Sequence, residues 1–290
     1  MEIPFYKLHG LGNSYIFVDG FKVDLPESIL PKLSIAVSDP NFGIGSDGLI
    51  LMLPSDVASV KMRVFNKDGS EAKNCGNGLR CVAKLASDLN YVTEKNFTIE
   101  AKSGIVHAEV YLNDDHLVDE VTVNMGNPIL ERRAIPMVTS KGNPNEQVIH
   151  EPILVDDEML NVTAVSMGNP HAVFFVERID EAPVETVGPK IETDARFPEG
   201  ANVEFVEIAS RNEMLFKVWE RGSGVTQACG TGACAAVVAS VLNGYVNRNE
   251  DVLVHLDGGD LMINWSQNGE VFMKGPAELV VKGSYFFTND

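Results

Sequence analysis

The chain has 290 residues, of which 44% are hydrophobic and 22% are charged, and its formal net charge is -18. This length exceeds the size at which one hydrophobic core usually keeps growing, so two domains are expected. The acidic balance argues against a protein held to nucleic-acid phosphates by clustered lysine and arginine, and the chain shows neither an export signal nor a membrane-length apolar run, so a cytoplasmic protein with a small polar ligand is expected.

Strand patterns outnumber helical patterns along the chain. Helical spacing of apolar residues predicts helices at 27–37, 79–89, around 180–186, and 233–242. Alternation of apolar and polar residues predicts strands that include 60–64, 97–101, 121–123, 162–166, 216–219 and 253–256. The last helix is apolar around its whole circumference, and such a helix must be buried.

One short motif occurs twice in the chain. Residues 74–78, Asn-Cys-Gly-Asn-Gly, recur as residues 228–232, Ala-Cys-Gly-Thr-Gly. The residues that precede the two copies align at the same interval, so that Asn66 corresponds to Glu220. The repeat predicts two related halves, each a sheet folded around a central helix, with a site in the cleft between them if they face each other.

The domain boundary is predicted at a turn. The sequence Met-Gly-Asn-Pro at 125–128 ends a strand pattern with residues typical of turns. A strand pattern at 277–287 can return to either half. We expect one domain to comprise residues 1–127 with 277–290, and the other to comprise residues 128–276.

Cys75 and Cys229 each stand directly before Gly-x-Gly and a helical pattern. This order places each sulfur at the N-terminus of a helix, among N–H groups without a partner inside the helix. A thiol has an ordinary pKa of roughly 8.5, which a helix N-terminus can lower towards neutrality. If the halves face each other, the two thiols converge on one cleft from opposite sides, an arrangement that suits the transfer of a proton through a carbon centre.

The backbone that follows each cysteine is a candidate carboxylate site. Glycines allow a substrate to approach the main chain closely, and helix N-termini favour anions. The N–H groups that could hold a substrate carboxylate belong to Gly76, Asn77, Gly230 and Thr231. Together with the thiols, they predict recognition of the head of an amino acid.

The other two cysteines, Cys81 and Cys234, project away from Cys75 and Cys229 on their helices. They are interpreted as small buried hydrophobic residues. In a chain without an export signal the cysteines are expected to be reduced, so no disulfide framework is predicted.

Several polar residues allow both a functional and a structural interpretation. Asn169 lies in Gly-Asn-Pro, a sequence typical of turns. His171 precedes an apolar run and fits a site residue or a hydrogen-bonded core histidine. Glu220 and Arg221 follow a strand and fit a binding site or a surface salt bridge, and their position shortly before Cys229 favours function.

With these residues the sequence resembles the diaminopimelate epimerases, cofactor-independent enzymes of lysine and peptidoglycan biosynthesis. The resemblance runs along essentially the whole chain and is carried by the segments 5–13, 43–48, 65–71, 74–80, 168–171 and 220–232. The wider superfamily, which includes proline racemase, shares the paired Cys-Gly elements but is not expected to share all the other segments.

The resemblance implies an α+β fold of two pseudo-symmetric domains, each a mostly antiparallel sheet wrapped around a central helix, with the active site in the cleft between them. It also implies roles for individual residues. Cys75 and Cys229 match the two catalytic cysteines of the family, and His171 and Glu220 match positions that tune the thiols. The positions that bind the far end of the substrate are matched by Asn13, Asn66, Asn169, Asn202, Glu220 and Arg221. The chain departs from many relatives at Ser14, where they have aspartate, and at Gly48, where some place a glutamine against the substrate.

The expected reaction is the epimerisation of LL-2,6-diaminopimelate to meso-diaminopimelate by a thiolate and a thiol. The far ammonium and carboxylate of the substrate would pair with Glu220 and Arg221. No lysine stands out as a pyridoxal phosphate anchor, and the six histidines are scattered, so neither a cofactor nor a metal is expected.

Three other interpretations remain open at this point. The protein could be another cofactor-independent amino-acid racemase, such as a proline racemase relative. It could be a redox switch that uses Cys75 and Cys229, or a binding protein without activity. The expected partner is a small-molecule substrate, with neither nucleic acid nor membrane, and a homodimer is compatible with the sequence.

Overall fold

The computed structural model describes residues 1–72, 75–138 and 143–288. It divides into two compact units, one formed by Met1–Asn124 with Lys274–Asp290 and the other by Met125–Met273. Asn74, the first residue of the repeated motif, lies outside the described residues. No helix in the described ranges is long and apolar enough to cross a membrane.

Strands make up most of the regular structure. In chain order they are β1 (Glu2–Gly10), β2 (Asn13–Asp19), β3 (Gly48–Leu53), β4 (Val60–Asn66), β5 (Glu71–Ala72), β6 (Asn96–Ala101), β7 (Gly104–Leu112), β8 (Val118–Asn124), β9 (Val148–Val155), β10 (Glu158–Ser166), β11 (Pro170–Phe175), β12 (Asn202–Ser210), β13 (Glu213–Glu220), β14 (Gly224–Val225), β15 (Asp251–Leu256), β16 (Gly259–Trp265), β17 (Val271–Pro276) and β18 (Glu278–Phe286). The helices are α1 (Leu30–Ser38), α2 (Gly76–Asp88), α3 (Val184–Glu192) and α4 (Gly230–Leu242).

The two units repeat one order of strand pairing. In the first unit β2 runs parallel to β3, β3 antiparallel to β4, β4 parallel to β6, and β6 antiparallel to β7. In the second unit β11, β12, β13, β15 and β16 follow the same alternation. The predicted α+β class with two pseudo-symmetric, sheet-rich halves is therefore confirmed.

A 13-residue helix lies against the sheet of each unit. Helix α2 packs against β1, β3, β4, β7 and β8, and helix α4 packs against β10, β11, β12 and β16. Both helices begin directly after a cysteine, three residues earlier than the apolar pattern alone predicts. Helix α4 is buried over nearly all its residues, as its apolar circumference predicts.

Helix α2 differs from the prediction of a single apolar face. Its residues from Gly76 to Ala86 are all buried, including two cations. Arg80 Nε donates to the carbonyl oxygen of Pro276 at 3.1 Å, and Lys84 donates to the Val118 carbonyl and pairs with Asp88. Because each of the two cations has a hydrogen-bond acceptor within its unit, the polar side of the helix can also be buried.

The helix predicted around residues 180–186 is displaced along the chain. A short 3-10 turn occupies Ile179–Glu181, and α3 begins after Pro183. A proline disfavours helical backbone at the residue before it, so the helix cannot run continuously through Ala182. The C-terminal strand, whose pattern alone is compatible with either half, is β18, and it pairs antiparallel with β1.

Candidate active site

Each repeated cysteine is the N-cap residue of a central helix. Cys75 precedes α2 and Cys229 precedes α4, both with extended backbone. The Cys75 Sγ accepts a hydrogen bond from the backbone N–H of Gly78 at 3.3 Å. The prediction that both sulfurs lie at helix N-termini is confirmed.

The third residue after each cysteine must be small. A Cβ added to Gly78 would lie 3.4 Å from Cys75 Sγ and 2.7 Å from Ile50 Cδ1. A Cβ added to Gly232 would lie 3.2 Å from Cys229 Sγ and 2.9 Å from Glu204 Oε1. The two glycines therefore let strand side chains and the sulfur approach the first turn of each helix.

The first unit gathers amide and hydroxyl groups around Cys75. Asn77 Nδ2 donates to Asn13 Oδ1 at 3.1 Å, and Asn13 Oδ1 lies 3.8 Å from Cys75 Sγ. The Tyr15 hydroxyl lies 3.5 Å from the same sulfur. Asp47 holds the other end of Asn13, accepting from its Nδ2 at 2.9 Å.

Two features of this cluster bear on its chemistry. Burial raises the pKa of Tyr15 well above its ordinary value, and negative charge on Cys75 raises it further, so the phenol stays an O–H donor. Asn77 Oδ1 is buried and has no hydrogen-bond partner among the described residues. A ligand N–H placed there would satisfy it.

The second unit gathers a connected row of side chains around Cys229, which we call the Glu204 row. Cys229 Sγ lies 3.6 Å from Thr231 Oγ1, which accepts from Asn169 Nδ2 at 3.3 Å. Asn169 Oδ1 is 3.0 Å from His171 Nε2, and His171 Nδ1 is 2.6 Å from Glu204 Oε1. His171 and Glu204 are both fully buried.

The environment of Cys229 favours its neutral form. Burial raises the pKa of this thiol well above its ordinary value, and the charges of Glu220 and Glu204 raise it further. The hydrogen bond with Thr231 acts in the opposite direction. At neutral pH Cys229 is therefore a protonated thiol, which can give up a proton.

The strand ladders identify which residues of the two clusters are equivalent. Leu49 and Val203 align in the repeat, and they lie opposite Ile16 and Ala172 in their parallel ladders. The residues one position earlier, Tyr15 and His171, are consequently equivalent.

Asn13 and Asn169, each two residues further back, are equivalent in turn. The bond from Asn77 to Asn13 in one unit thus mirrors the bond between Asn169 and Thr231 in the other.

The predicted far-end residues of the second unit lie at the start of β12 and the end of β13. Asn202 Oδ1 accepts from the backbone N–H of Arg221 at 3.0 Å, and its Nδ2 donates to the carbonyl of Pro170 at 3.1 Å. Arg221 Nη1 donates to the Glu199 carbonyl, and Glu220 accepts from the Thr226 hydroxyl. Asn202 thus orients the backbone that carries Arg221.

Asn66 and Gly48 are two further positions of the first unit that the sequence singled out. The side-chain amide of Asn66 donates to Ser70 Oγ at 3.0 Å, in the turn that follows β4. A Cβ added to Gly48 would lie 2.1 Å from the Phe65 carbonyl oxygen and 3.0 Å from Tyr15. A larger residue at position 48, such as the glutamine that the resemblance implies for some relatives, cannot fit here without a shift of the backbone.

The structural interpretations of the remaining residues can now be compared with the structure. Cys81 and Cys234 are buried as predicted, and burial raises the pKa of Cys81 to about 12. His171 is a hydrogen-bonded core histidine, yet its Nε2 faces a residue of the Cys229 cluster. In the described ranges, no group of three or more His, Cys, Asp or Glu side chains is arranged to hold a metal ion.

Tyr15 and Glu204 belong to the clusters but were not among the sequence candidates. Glu204 carries a detectable signal, since a carboxylate in the apolar strand segment 202–206 is rarely buried without a partner. Tyr15 carries none, because a tyrosine in an apolar strand is typical of an ordinary core.

Solved structures share this fold along nearly the whole chain. A phenazine biosynthesis protein of the PhzF family from Bacillus anthracis aligns with a TM-score of 0.73 at 15% identity, covering 99% of this chain and 100% of that one. A hydroxyproline epimerase from Agrobacterium vitis aligns with a TM-score of 0.69 at 15% identity, covering 98% and 91%. The chain therefore has the PhzF-like fold that these two structures share.

Sequence comparison defines the family within that class. The diaminopimelate epimerase family model matches residues 5–131 and 163–280. A diaminopimelate epimerase from Geobacillus sp. strain WCH70 is 57% identical over 99% of this chain and 99% of its own length. A diaminopimelate epimerase from Oceanobacillus iheyensis is 53% identical over the full length of both chains. The chain belongs to the diaminopimelate epimerase family.

Proposed function

We propose that this protein interconverts LL- and meso-2,6-diaminopimelate, with Cys75 and Cys229 as the two acid–base groups. The observation that carries the proposal is the pair of cysteines at equivalent helix N-termini in a chain of this family. The product is a precursor of lysine and peptidoglycan, which gives the enzyme a cytoplasmic place in biosynthesis. Its partner is the small-molecule substrate, without nucleic acid or membrane.

One thiolate removes the α-hydrogen while the other thiol delivers a proton to the opposite face of the same carbon. Cys229 rests as the proton donor, which its raised pKa supports. Cys75 rests as the base, supported by the Gly78 N–H and by a tyrosine that stays an O–H donor. After one turnover each sulfur holds the other protonation state, and the reverse reaction restores the first.

The α-hydrogen is far less acidic than a thiol, so negative charge that develops on the substrate carboxylate must be stabilised. The N–H groups of the two helix starts serve this purpose, and one such donor contributes about 3 kcal/mol to transition-state stabilisation. The residues that supply them are Gly76, Asn77, Gly230 and Thr231. No cofactor is required, because the thiols and these donors supply the chemistry.

The far end of the substrate carries its own ammonium and carboxylate. We assign the carboxylate to Arg221, whose backbone is held by Asn202, and the ammonium to Glu220. The amides of Asn13, Asn66 and Asn169 complete the binding residues. His171 and Glu220 tune the thiols, the latter through its charge next to Cys229. We propose residues 1–127 with 277–290, and residues 128–276, as the two functional domains; these bounds lie three residues from those of the two compact units.

The proposal is tested by following α-deuterium incorporation into LL-diaminopimelate in deuterated water. The wild-type protein should incorporate deuterium and form the meso isomer, whereas Cys75→Ala and Cys229→Ala should lose turnover by about 1,000-fold or more. Cys81→Ala and Cys234→Ala are matched controls, because these cysteines lie within the same helices and away from the helix starts. They should retain activity.

Three results would contradict the proposal. Exchange at proline but not at diaminopimelate would indicate a relative of proline racemase. Tight binding without exchange would indicate a binding protein. Full activity of either cysteine variant would indicate a redox role for the cysteines that cap the helices of both units.

We also propose that the enzyme is a homodimer. Strand β18 pairs with β1, and Leu279, Val280 and Val281 on it are 48%, 55% and 44% exposed. Exposed apolar residues on a strand favour association with a second copy of the chain. Sedimentation equilibrium should give twice the mass of 31.6 kDa, and a single-chain mass would contradict the dimer.

A further inference from the structure

The two cysteine clusters are not chemically equivalent, and the difference lies in the strand behind each helix start. Ile50 of β3 and Glu204 of β12 align in the repeat, and both contact the glycine in the first turn of their helix. Tyr15 and His171 are equivalent in the ladders. The second unit therefore has a buried carboxylate and imidazole where the first has an aliphatic side chain and a phenol.

Glu204 cannot be explained as a packing residue. It is fully buried in the middle of an apolar strand, its Oε1 is 2.6 Å from His171 Nδ1, and its Oε2 has no hydrogen-bond partner among the described residues. Burying a carboxyl group in this way costs free energy that an apolar residue, such as the aligned Ile50, would not. The protein retains the buried carboxyl group despite this cost, which points to a role in the chemistry.

The hydrogen bonds of the Glu204 row have one consistent direction. Asn169 Nδ2 donates to Thr231 Oγ1, so Asn169 Oδ1 is left to accept from His171 Nε2. His171 must therefore carry its proton on Nε2. Thr231 Oγ1 already accepts a hydrogen bond from Asn169, so its own proton is available to Cys229 Sγ.

We propose that Glu204 is a positioning residue, which fixes the ring of His171 with Nε2–H directed at Asn169 and so aims the Thr231 hydroxyl at Cys229. This inference rests on the proposed function. The row ends in an O–H donor that stabilises the sulfur each time Cys229 gives up its proton. Glu204 holds the row through Nδ1 and does not touch the substrate.

The charged and titratable groups around Glu204 are few. His171 on β11 and Glu220 on β13 act on it electrostatically, and Cys229 lies across Gly232 at the start of α4. Burial raises the pKa of Glu204, and the imidazole opposes that shift. The 2.6 Å hydrogen bond between Glu204 Oε1 and His171 Nδ1 needs one proton between these two atoms, and Nε2 keeps its own proton whichever of them carries it.

The experiment combines kinetics with nitrogen NMR of the intact enzyme. Glu204→Gln keeps the size of the side chain and removes its charge, and kcat should fall about 10-fold to 100-fold with KM changed less than about threefold. Glu213→Gln is the matched control. Glu213 Oε1 lies 2.9 Å from His255 Nε2, so it removes a carboxylate from another carboxylate–histidine pair of the same unit, and kcat should stay unchanged.

NMR spectra of the enzyme labelled with nitrogen-15 in histidine report the protonation of the His171 ring. This protonation would not change if Glu204 were only a packing residue. The His171 signals are identified by their loss in His171→Asn. In the wild type Nε2 should be protonated, and in Glu204→Gln the protonation of Nδ1 should change while the chemical shifts of His255 do not.

Two outcomes would overturn the inference. One is the absence of a proton on His171 Nε2 in the wild type, and this measurement does not depend on the folding of any variant. The other is a folded Glu204→Gln enzyme with kcat within twofold of the wild type. If the wild type fails to epimerise diaminopimelate, the proposed function is wrong, and the nitrogen-15 spectrum still tests the protonation of the His171 ring.

Discussion

Tyr15 and His171 occupy equivalent positions beside the two helix-capping cysteines, although one is a phenol and the other an imidazole. The Tyr15 hydroxyl lies 3.5 Å from Cys75 Sγ, whereas His171 reaches Cys229 through Asn169 and Thr231. A pseudo-symmetric fold thus surrounds its two sulfurs with different chemistry. Such a difference supports the proposed assignment of a resting base to one side and a resting acid to the other.

Removing the Tyr15 hydroxyl should lower the fraction of Cys75 that is present as the thiolate. Burial keeps this phenol protonated, so its O–H is a donor to a thiolate, and a hydrogen bond to a charged group is worth about 1.5–3 kcal/mol. Tyr15→Phe should therefore lower kcat about tenfold or more, measured by α-deuterium exchange. Tyr91→Phe is the control, because the Tyr91 hydroxyl bonds to Asp19 instead. Equal losses in both variants would contradict a specific contact.

Alkylation should distinguish the two helix-capping cysteines. Iodoacetamide reacts with thiolates, and Cys229 is 4% exposed with a pKa raised by burial and by two carboxylates. At pH 7.5, Cys75 should be modified about tenfold faster than Cys229, as measured by peptide mass spectrometry. Raising the pH to 9.5 should accelerate Cys229, because more of it becomes thiolate.

Cys81 is an internal standard for that measurement. Its pKa of about 12 and its burial should keep it unmodified at both pH values while the protein is folded. Faster modification of Cys229 than of Cys75 at pH 7.5 would reverse the assignment of resting acid and base.

The His255 pair should make stability depend on pH. Hydrogen bonds that His255 donates to Glu213 and then to Asp260 raise the pKa of His255 above its ordinary value of about 6.5. A raised folded pKa gives stabilisation that is fully present below the unfolded pKa and is lost as pH rises through the folded pKa. The free energy of unfolding in urea should therefore fall more on His255→Gln at pH 5.5 than at pH 9.

His107 provides the comparison for that series. It is an exposed histidine on β7, and His107→Gln should change stability little at either pH. A His255→Gln effect of the same size at both pH values would show that the ion pairs do not contribute in the folded state.

The sequence predicted the central helices well because local rules determine them. Gly-x-Gly followed by an apolar run specifies a helix that starts at a fixed place, and both cysteines cap such helices. The prediction was wrong at α3, where Pro183 delays the helix, and incomplete for α2. The burial of Arg80 depends on a carbonyl that lies far along the chain, which no local pattern records.

The repeated cysteines, their glycines and the family to which the chain belongs were determined by the sequence alone, since these are matters of residue type and spacing. Only the tertiary structure decided the partners of each sulfur. The connection between β2 and β3 is longer than the equivalent connection between β11 and β12. A constant interval along the chain therefore aligns Tyr15 with Asn169 and not with His171. Hydrogen-bonded ladders correct that register, because strands pair through space and not along the chain, and they bring Glu204 behind Cys229.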